Sequence, residues 1–334
     1  MKKLKIIQVG SGGWGKSWLQ FLHESDDWQL AGLVSRGGAN LTEAQAKWGI
    51  PGEKCFADLD DALSLEADAV LVTVPHHLHV PVSKKALEAG KHVLCEKPFS
   101  DSLAEAMELV AFAKTTSKQL AISQNFRYRQ GLWQMKAASG DVGPVDSLTI
   151  DIYQPQPEQI SGWRRQTVST LLLEIAIHHL DMARFLLDAN ATSVFCRAWN
   201  PPWSCATGPA SASLIVEFEN GVNMSFNGSW AARGKYTPWD GVWRVQYERG
   251  AATWDGALPK FEVIGGSAYA PAEIRGYPGT DREGILKAFA NSIRQNARFP
   301  TDGEDNLQSL AIVFAAIQSF QEERKVLIDE IMAR

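Results

Sequence analysis

Three groups of side chains in this 334-residue sequence could do chemistry. The first is Glu96-Lys97-Pro98, directly after an apolar run that ends at Cys95. A lysine at the end of a buried strand can be tuned by burial for hydroxyl activation or proton transfer. An ion pair with Glu96 is the competing use. The second group runs from Glu174 to Asp181, EIAIHHLD. Glu174 and His178 are four apart and share one helix face, and Asp181 falls near it. A carboxylate one turn from an imidazole can orient it and raise its basicity. Such a pair could take the proton from an alcohol while hydride leaves the same carbon. A buried structural Glu–His–Asp network is the alternative, and for His179, which points away from His178, it is the favoured one. The third group is the histidines: His76, His77, His79, His178 and His179 are five of seven. No spacing among them matches a zinc motif and neighbouring histidines rarely share one ion, so no metal site is expected.

These groups need elements to hold them. Leu4 to Val9 is a short apolar run, Gly10-Ser11-Gly12-Gly13-Trp14-Gly15 follows at once, and Ser17 to Glu24 has helical spacing. Leu30 to Ser35 is a second apolar run. A Gly-x-Gly-x-x-Gly between strand and helix is the dinucleotide fingerprint. Gly10 allows the turn, Gly12 lets a pyrophosphate approach the backbone, and Gly15 lets the helix pack on the strand. The phosphates would sit at the positive helix N-terminus. The acidic residue that normally ends the second strand is replaced by Ser35-Arg36. A hydroxyl and a guanidinium fork suit a 2′-phosphate, which favours NADP(H), with NAD(H) as the alternative.

The length suggests two domains with ample core. A net charge of −5 gives no electrostatic support to a nucleic-acid or acidic-membrane partner. The four cysteines, Cys55, Cys95, Cys196 and Cys205, form no CxxC pair and read as reduced thiols. The N-terminus lacks a signal-peptide pattern and no run is long enough to span a membrane, so a cytoplasmic protein is expected. Twelve tryptophans make stacking on sugar C–H faces attractive, although for any single one a core role is favoured.

Through residue 123, strands alternate with helices, and Ala69 to Val74 is the unbroken apolar run of a strand buried on both faces. Asn40 reads as the cap of a helix over 41–48. The pattern predicts an α/β chain with an N-terminal doubly wound parallel sheet, the Rossmann fold, over 1–123. Beyond it, an apolar helix over 171–187 is followed by strands at 194–199, 212–219, 222–229 and 242–247, with a turn at Asn220-Gly221. Helical patterns return at 286–295 and 307–323. This predicts a C-terminal α+β domain over 124–334 with a mostly antiparallel, open-faced sheet.

Ligands of open α/β sheets bind at the carboxyl ends of the strands. Those ends hold Pro75-His76-His77-Leu78-His79, Glu96-Lys97-Pro98 and Asn125-Phe126-Arg127-Tyr128. Together with the glycine motif, Thr73-Val74-Pro75, Gly162-Trp163-Arg164 and the His178 helix, they resemble the glucose-fructose oxidoreductase, inositol dehydrogenase and rhizopine-catabolism (Gfo/Idh/MocA) family along essentially the whole chain. The resemblance implies oxidation or reduction of a hydroxyl carbon on a sugar, sugar derivative or cyclitol with NAD(P). It makes Lys97 the catalytic lysine and His178 the catalytic histidine, with Glu174 where many relatives have an aspartate. The cofactor would lie over Gly10, Gly12, Gly13, Trp14 and Gly15, and over Ser35 and Arg36. Its nicotinamide end would lie near Thr73, Pro75, His76, His79, Glu96, Lys97 and Asn125. By position, Arg127, Tyr128, Trp163 and Arg164 are candidate substrate contacts beside Lys97, Glu174 and His178. A homodimer or homotetramer is implied. Two rivals stand: a glycosidase using transient oxidation and elimination, and a non-catalytic dinucleotide sensor.

Overall fold

The computed structural model describes residues 2–156, 167–266, 269, 274 and 276–333. The chain divides into two compact units, Met1–Asn125 with Pro278–Leu307, and Phe126–Tyr277 with Gln308–Arg334. The first carries strands β1 (Leu4–Val9), β2 (Trp28–Val34), β3 (Cys55–Phe56), β4 (Ala69–Val72), β5 (His92–Glu96) and β6 (Leu120–Ser123). Between them run α1 (Gly13–Glu24), α2 (Ala39–Trp48), α3 (Leu59–Leu63), α4 (His79–Glu88) and α5 (Leu103–Thr115). The sheet order is β3-β2-β1-β4-β5-β6, all parallel. Ile6, Ile7, Val70, Leu71, Val93 and Leu94 are wholly buried. That is why these strands read as continuous apolar runs, since both faces are covered. The reversal of strand order at β1 and β4 opens the crevice where such sheets bind ligands. The cap of α2 differs from expectation: Gly38 is the N-cap, without a side-chain cap, and Asn40 lies inside the helix.

The second unit carries α6 (Gln130–Val142), β7 (Val145–Tyr153), a π turn at Leu172–Ala176 and α7 (Ile177–Leu187). Its strands continue with β8 (Ala191–Trp199), β9 (Ser211–Phe218), β10 (Asn223–Ser229), β11 (Val242–Tyr247), β12 (Gly250–Trp254), β13 (Lys260–Val263) and β14 (Val326–Leu327). The order is β13-β12-β11-β7-β10-β9-β8-β14, antiparallel except where β10 pairs with β7. Alternating burial along β7 and β9 marks one covered and one outward face. Nearly every residue of α7 is buried, His178, His179, Asp181 and Arg184 included, and buried polar groups of this kind need partners inside the core.

The segment Pro278–Leu307 returns to the first unit, which a single division at 123/124 does not contain. It holds α8 (Asp281–Gln295) and the start of α9 (Gly303–Glu322). The physical reason is apolar: Phe289 of α8 stacks on Trp28 with ring centroids 5.4 Å apart, and the Trp28 indole donates to the Leu286 carbonyl at 2.8 Å. Trp28 is 1% exposed. Trp28→Ala is expected to lower stability by about 3–5 kcal/mol, read as a fall in the urea midpoint.

Candidate active site

In the first unit the glycine loop is tightly built. A Cβ on Gly15 would stand 2.4 Å from the Gly10 carbonyl, and one on Gly10, at φ +110°, would stand 2.8 Å from Thr73. These positions accept only glycine, and their closeness seats α1 against β1. Gly12 and Gly13 face open space, with nothing within 4 Å of an added Cβ. The N-cap of α1 is Gly12 without a side-chain cap, so the first-turn N–H groups are left to a ligand or water. This cradle fits a dinucleotide pyrophosphate. Two buried side chains brace it. Gln8 donates to the carbonyls of Gly10 at 2.9 Å and Gly15 at 2.8 Å. Thr73 Oγ1 donates to Val9 at 3.0 Å and Gly10 at 3.1 Å.

At the second strand end Ser35 is buried, its Oγ 2.5 Å from Ser11 Oγ, while Arg36 is exposed. Lys97 follows β5 immediately. Glu96, the last residue of that strand, is 5% exposed. Its Oε1 accepts from the Trp18 indole at 2.6 Å and Ser123 Oγ at 3.2 Å, and its Oε2 accepts from the Lys97 backbone N–H at 3.1 Å. Burial pushes the Glu96 carboxyl above the ordinary carboxylate range, while the indoles of Trp14 and Trp18 and the neighbouring Lys97 pull it back. His79 is also buried, its ring nitrogens facing the carbonyls of Pro98 at 2.7 Å and Val74 at 2.8 Å. Burial pushes its proton affinity down to about 4. The ring therefore ties the β4 end to the Lys97-Pro98 turn. His76 is buried beside it, with ring centroids 5.5 Å apart, and Pro75 is half-buried. Asn125 donates to Asp281 at 2.8 Å.

In the second unit His178 is 7% exposed and stacks on Phe126, with centroids 4.2 Å apart and planes 16° apart. The Arg129 guanidinium lies 4.8 Å from the Phe126 ring centre and pairs with Asp240 at 2.7 Å. The imidazole plane is thus fixed by a clamped aromatic ring. Glu174, half-buried, sits in the π turn that precedes α7. Isolated π turns are frequent at functional positions. Asp181 is wholly buried and turned elsewhere: it accepts from Arg127 Nε at 2.6 Å, Arg127 Nη2 at 2.8 Å and Ser309 Oγ at 2.7 Å. His179 is structural, as its position predicts: its ring faces the Ile175 and Trp239 carbonyls, each at 3.2 Å, and burial pushes it down to about 4.

Of the candidate substrate contacts, Arg127 and Tyr128 are 7% and 3% exposed, and the Arg127 fork is engaged by Asp181. Trp163 and Arg164 lie outside the described residues. Gln8 and Trp18 are the residues that motif reading passes over. The usable signals are a lone amide inside an apolar strand and an indole N–H on a buried helix face. Among the described residues no three His, Cys, Asp or Glu side chains gather as a metal site, and no helix is long and apolar enough to cross a membrane.

A family model for the oxidoreductase family with an NAD-binding Rossmann fold matches residues 4–124, and the GFO/IDH/MocA C-terminal domain model matches residues 134–253. The chain belongs to the Gfo/Idh/MocA oxidoreductase family. Among its relatives, y4oX of Sinorhizobium fredii is 25% identical over 98% of this chain and 96% of its own length. The inositol 2-dehydrogenase of Rhizobium meliloti is 26% identical over 96% of this chain and 98% of its own length. An Agrobacterium radiobacter oxidoreductase, solved with NAD+, L-tartaric acid and magnesium, superposes with a TM-score of 0.86 at 20% identity, covering 99% of this chain and all of that one. At that identity the match speaks for the fold. For this Gfo/Idh/MocA member, Asp181→Ala strands Arg127 in the core. It is expected to cost about 3–5 kcal/mol of stability in urea denaturation.

Proposed function

We propose that this protein is an NAD(P)-dependent dehydrogenase that moves a hydride between the nicotinamide and a hydroxyl carbon of a sugar, sugar derivative or cyclitol. The observation that carries the reading is Lys97, seated one residue beyond β5 on a turn bonded to Glu96, at the sheet edge that also carries the glycine cradle. The bound nicotinamide would supply the hydride acceptor or donor. His178 takes the hydroxyl proton, held in plane by Phe126 and helped by Glu174. Lys97 holds the substrate oxygen and balances its charge. Binding energy from the remaining hydroxyls fixes the reacting carbon. The inositol and sugar dehydrogenase relatives support this substrate class. Lys97→Ala and His178→Ala are each expected to lower turnover by about 10²-fold or more, with dinucleotide affinity kept within about two-fold. The assay is NAD(P)H absorbance with a panel of inositols and aldoses, and full activity of Lys97→Ala would sink the proposal.

We read the cofactor preference as NADP(H). Arg36 is exposed, Gly37 and Gly38 have open space around them, and the uncapped N-terminus of the ten-residue α2 starts directly after them. A guanidinium and unsatisfied N–H groups suit a 2′-phosphate. Ser35 contributes less than its type suggests, since its hydroxyl is shared with Ser11. Arg36→Asp is expected to move the ratio of NADPH to NADH affinity at least about ten-fold toward NADH, read by tryptophan fluorescence quenching. Tighter NADH binding by the unaltered protein would overturn the preference. A cytoplasmic homodimer or homotetramer belongs to the same reading. The outward face of the eight-stranded sheet carries exposed Phe195, Ile215 and Val242, apolar groups that suit an interface.

A further inference from the structure

The first unit holds a cavity of about 460 Å³ to which the dehydrogenase reading gives no task. Its volume falls within the roughly 300–1,000 Å³ of small-molecule sites. Lys3 stands just before β1, and Trp28 to Leu30 open β2, so the cavity lies at the amino ends of the strands, opposite the glycine cradle. The helices α1 and α2 start at the cradle side, after Gly12 and Gly38, and their last turns wall the cavity with Leu22, His23 and Trp48. The floor is apolar. Leu19 and Ile50 belong to a buried cluster, and Leu30 and Trp48 pack against it part-buried. The Trp48 ring has two fixed neighbours: the His23 ring, with centroids 5.5 Å apart, and the Lys47 ammonium, 4.8 Å from its centre.

The charge at the rim has one sign. Among the described residues that line the cavity, the charged side chains are the exposed Lys3 and the half-buried Lys54, with the exposed His23 beside them. Both ammonium groups are anchored to backbone: Lys3 donates to the Ser25 carbonyl at 2.6 Å and Lys54 to the Leu30 carbonyl at 3.3 Å. Each bond uses one of three N–H groups, which leaves two on each ammonium for a ligand. Nearby acids are engaged elsewhere: Glu24 accepts from Gln20 at 3.1 Å, and Asp27 pairs with Arg294 at 2.5 Å. An apolar floor under a cationic rim is complementary to an apolar body that carries an anionic group, and hydrogen bonds between ammonium and carboxylate are strong ones. A sugar would set its hydroxyls against that floor at a cost. Offset stacking on an indole favours a flat ring over a chain. We propose that this cavity is a binding site, separate from the dinucleotide cradle, for a small aromatic carboxylate. Its ring lies on the floor against Trp48, and its carboxylate faces the Lys3 and Lys54 rim.

The test titrates the full-length protein with cinnamate and with its neutral amide, read by saturation-transfer NMR. Cinnamate is expected to saturate one site with a Kd below about 2 mM, and the amide to bind more weakly. The double variant Lys3→Gln, Lys54→Gln is expected to weaken cinnamate about ten-fold and to leave the amide within about two-fold of its wild-type affinity. Trp48→Leu should weaken both ligands about five-fold, while Lys114→Gln, outside the cavity, leaves both unchanged. The lysine variant carries the test if Trp48→Leu does not fold. Absence of saturable cinnamate binding up to about 10 mM overturns the proposal, and so does wild-type affinity in the lysine variant. Equal losses of cinnamate and amide in that variant would mean that the lysines act through the fold, and would overturn it as well. Displacement by NADPH combined with unaltered affinity in the lysine variant would put the acid in the glycine cradle instead. The site uses neither Lys97 nor His178, so Lys97→Ala is expected to bind cinnamate like wild type whatever its turnover.

Discussion

The packing of Gly15 onto the Gly10 carbonyl is the contact on which the first unit turns. It brings α1 closer to β1 than any residue with a Cβ would allow. The helix N-terminus can then aim at the crevice where β1 and β4 part. Gln8 and Thr73 fix the loop from beneath. Because α1 is seated this tightly, its buried Trp18 can reach Glu96 on β5, two strands away from β1. Backbone sterics at two glycines thus set the position of a side chain far along the sequence.

The second unit relies on buried charge instead of close backbone approach. Asp181 and Arg127 exchange two bonds in a setting that is almost water-free, with Ser309 on the remaining lone pairs. Such a pair adds little net stability over an apolar substitute but is costly to break. Its value here is orientation. It locks α7 in rotation, and with it His178, three residues from Asp181. Phe126, the residue before Arg127, then lies flat against the imidazole. A strong ion pair and a weak ring stack act in series on one histidine.

Much of the first unit was legible because parallel strands covered on both faces must be apolar throughout, and because the glycine spacing has one geometric meaning. Lys97 and His178 were legible as reactive types at the ends or on the faces of such elements. The π turn under Glu174 was not, since no composition marks one extra residue in a helical turn. Nor was the burial of Arg127 and Tyr128: a motif gives the order of side chains, while the direction each one faces depends on how the chain leaves β6. Trp18 was hidden for a related reason. Its apolar bulk satisfied the helix pattern, and nothing in that pattern reported where its N–H would point. The return of α8 to the N-terminal unit depends on Trp28 and Phe289, aromatic residues whose pairing no local window contains.

That return has a consequence for biosynthesis. The Rossmann sheet is complete in sequence by Ser123, but Leu286 and Phe289 against Trp28, and Thr301 and Asp302 against β6, come from the stretch after Pro278. While the chain is being made, the nucleotide unit must wait without these partners of its indole and its sheet edge until most of the second unit has been translated. Exposed apolar surface and unpaired edges are what chaperones hold and aggregates recruit. The two units are therefore tied in the order of their making: the N-terminal one is begun first and finished late, and a fragment ending near Asn125 would carry the full nucleotide motif on a sheet without its cover.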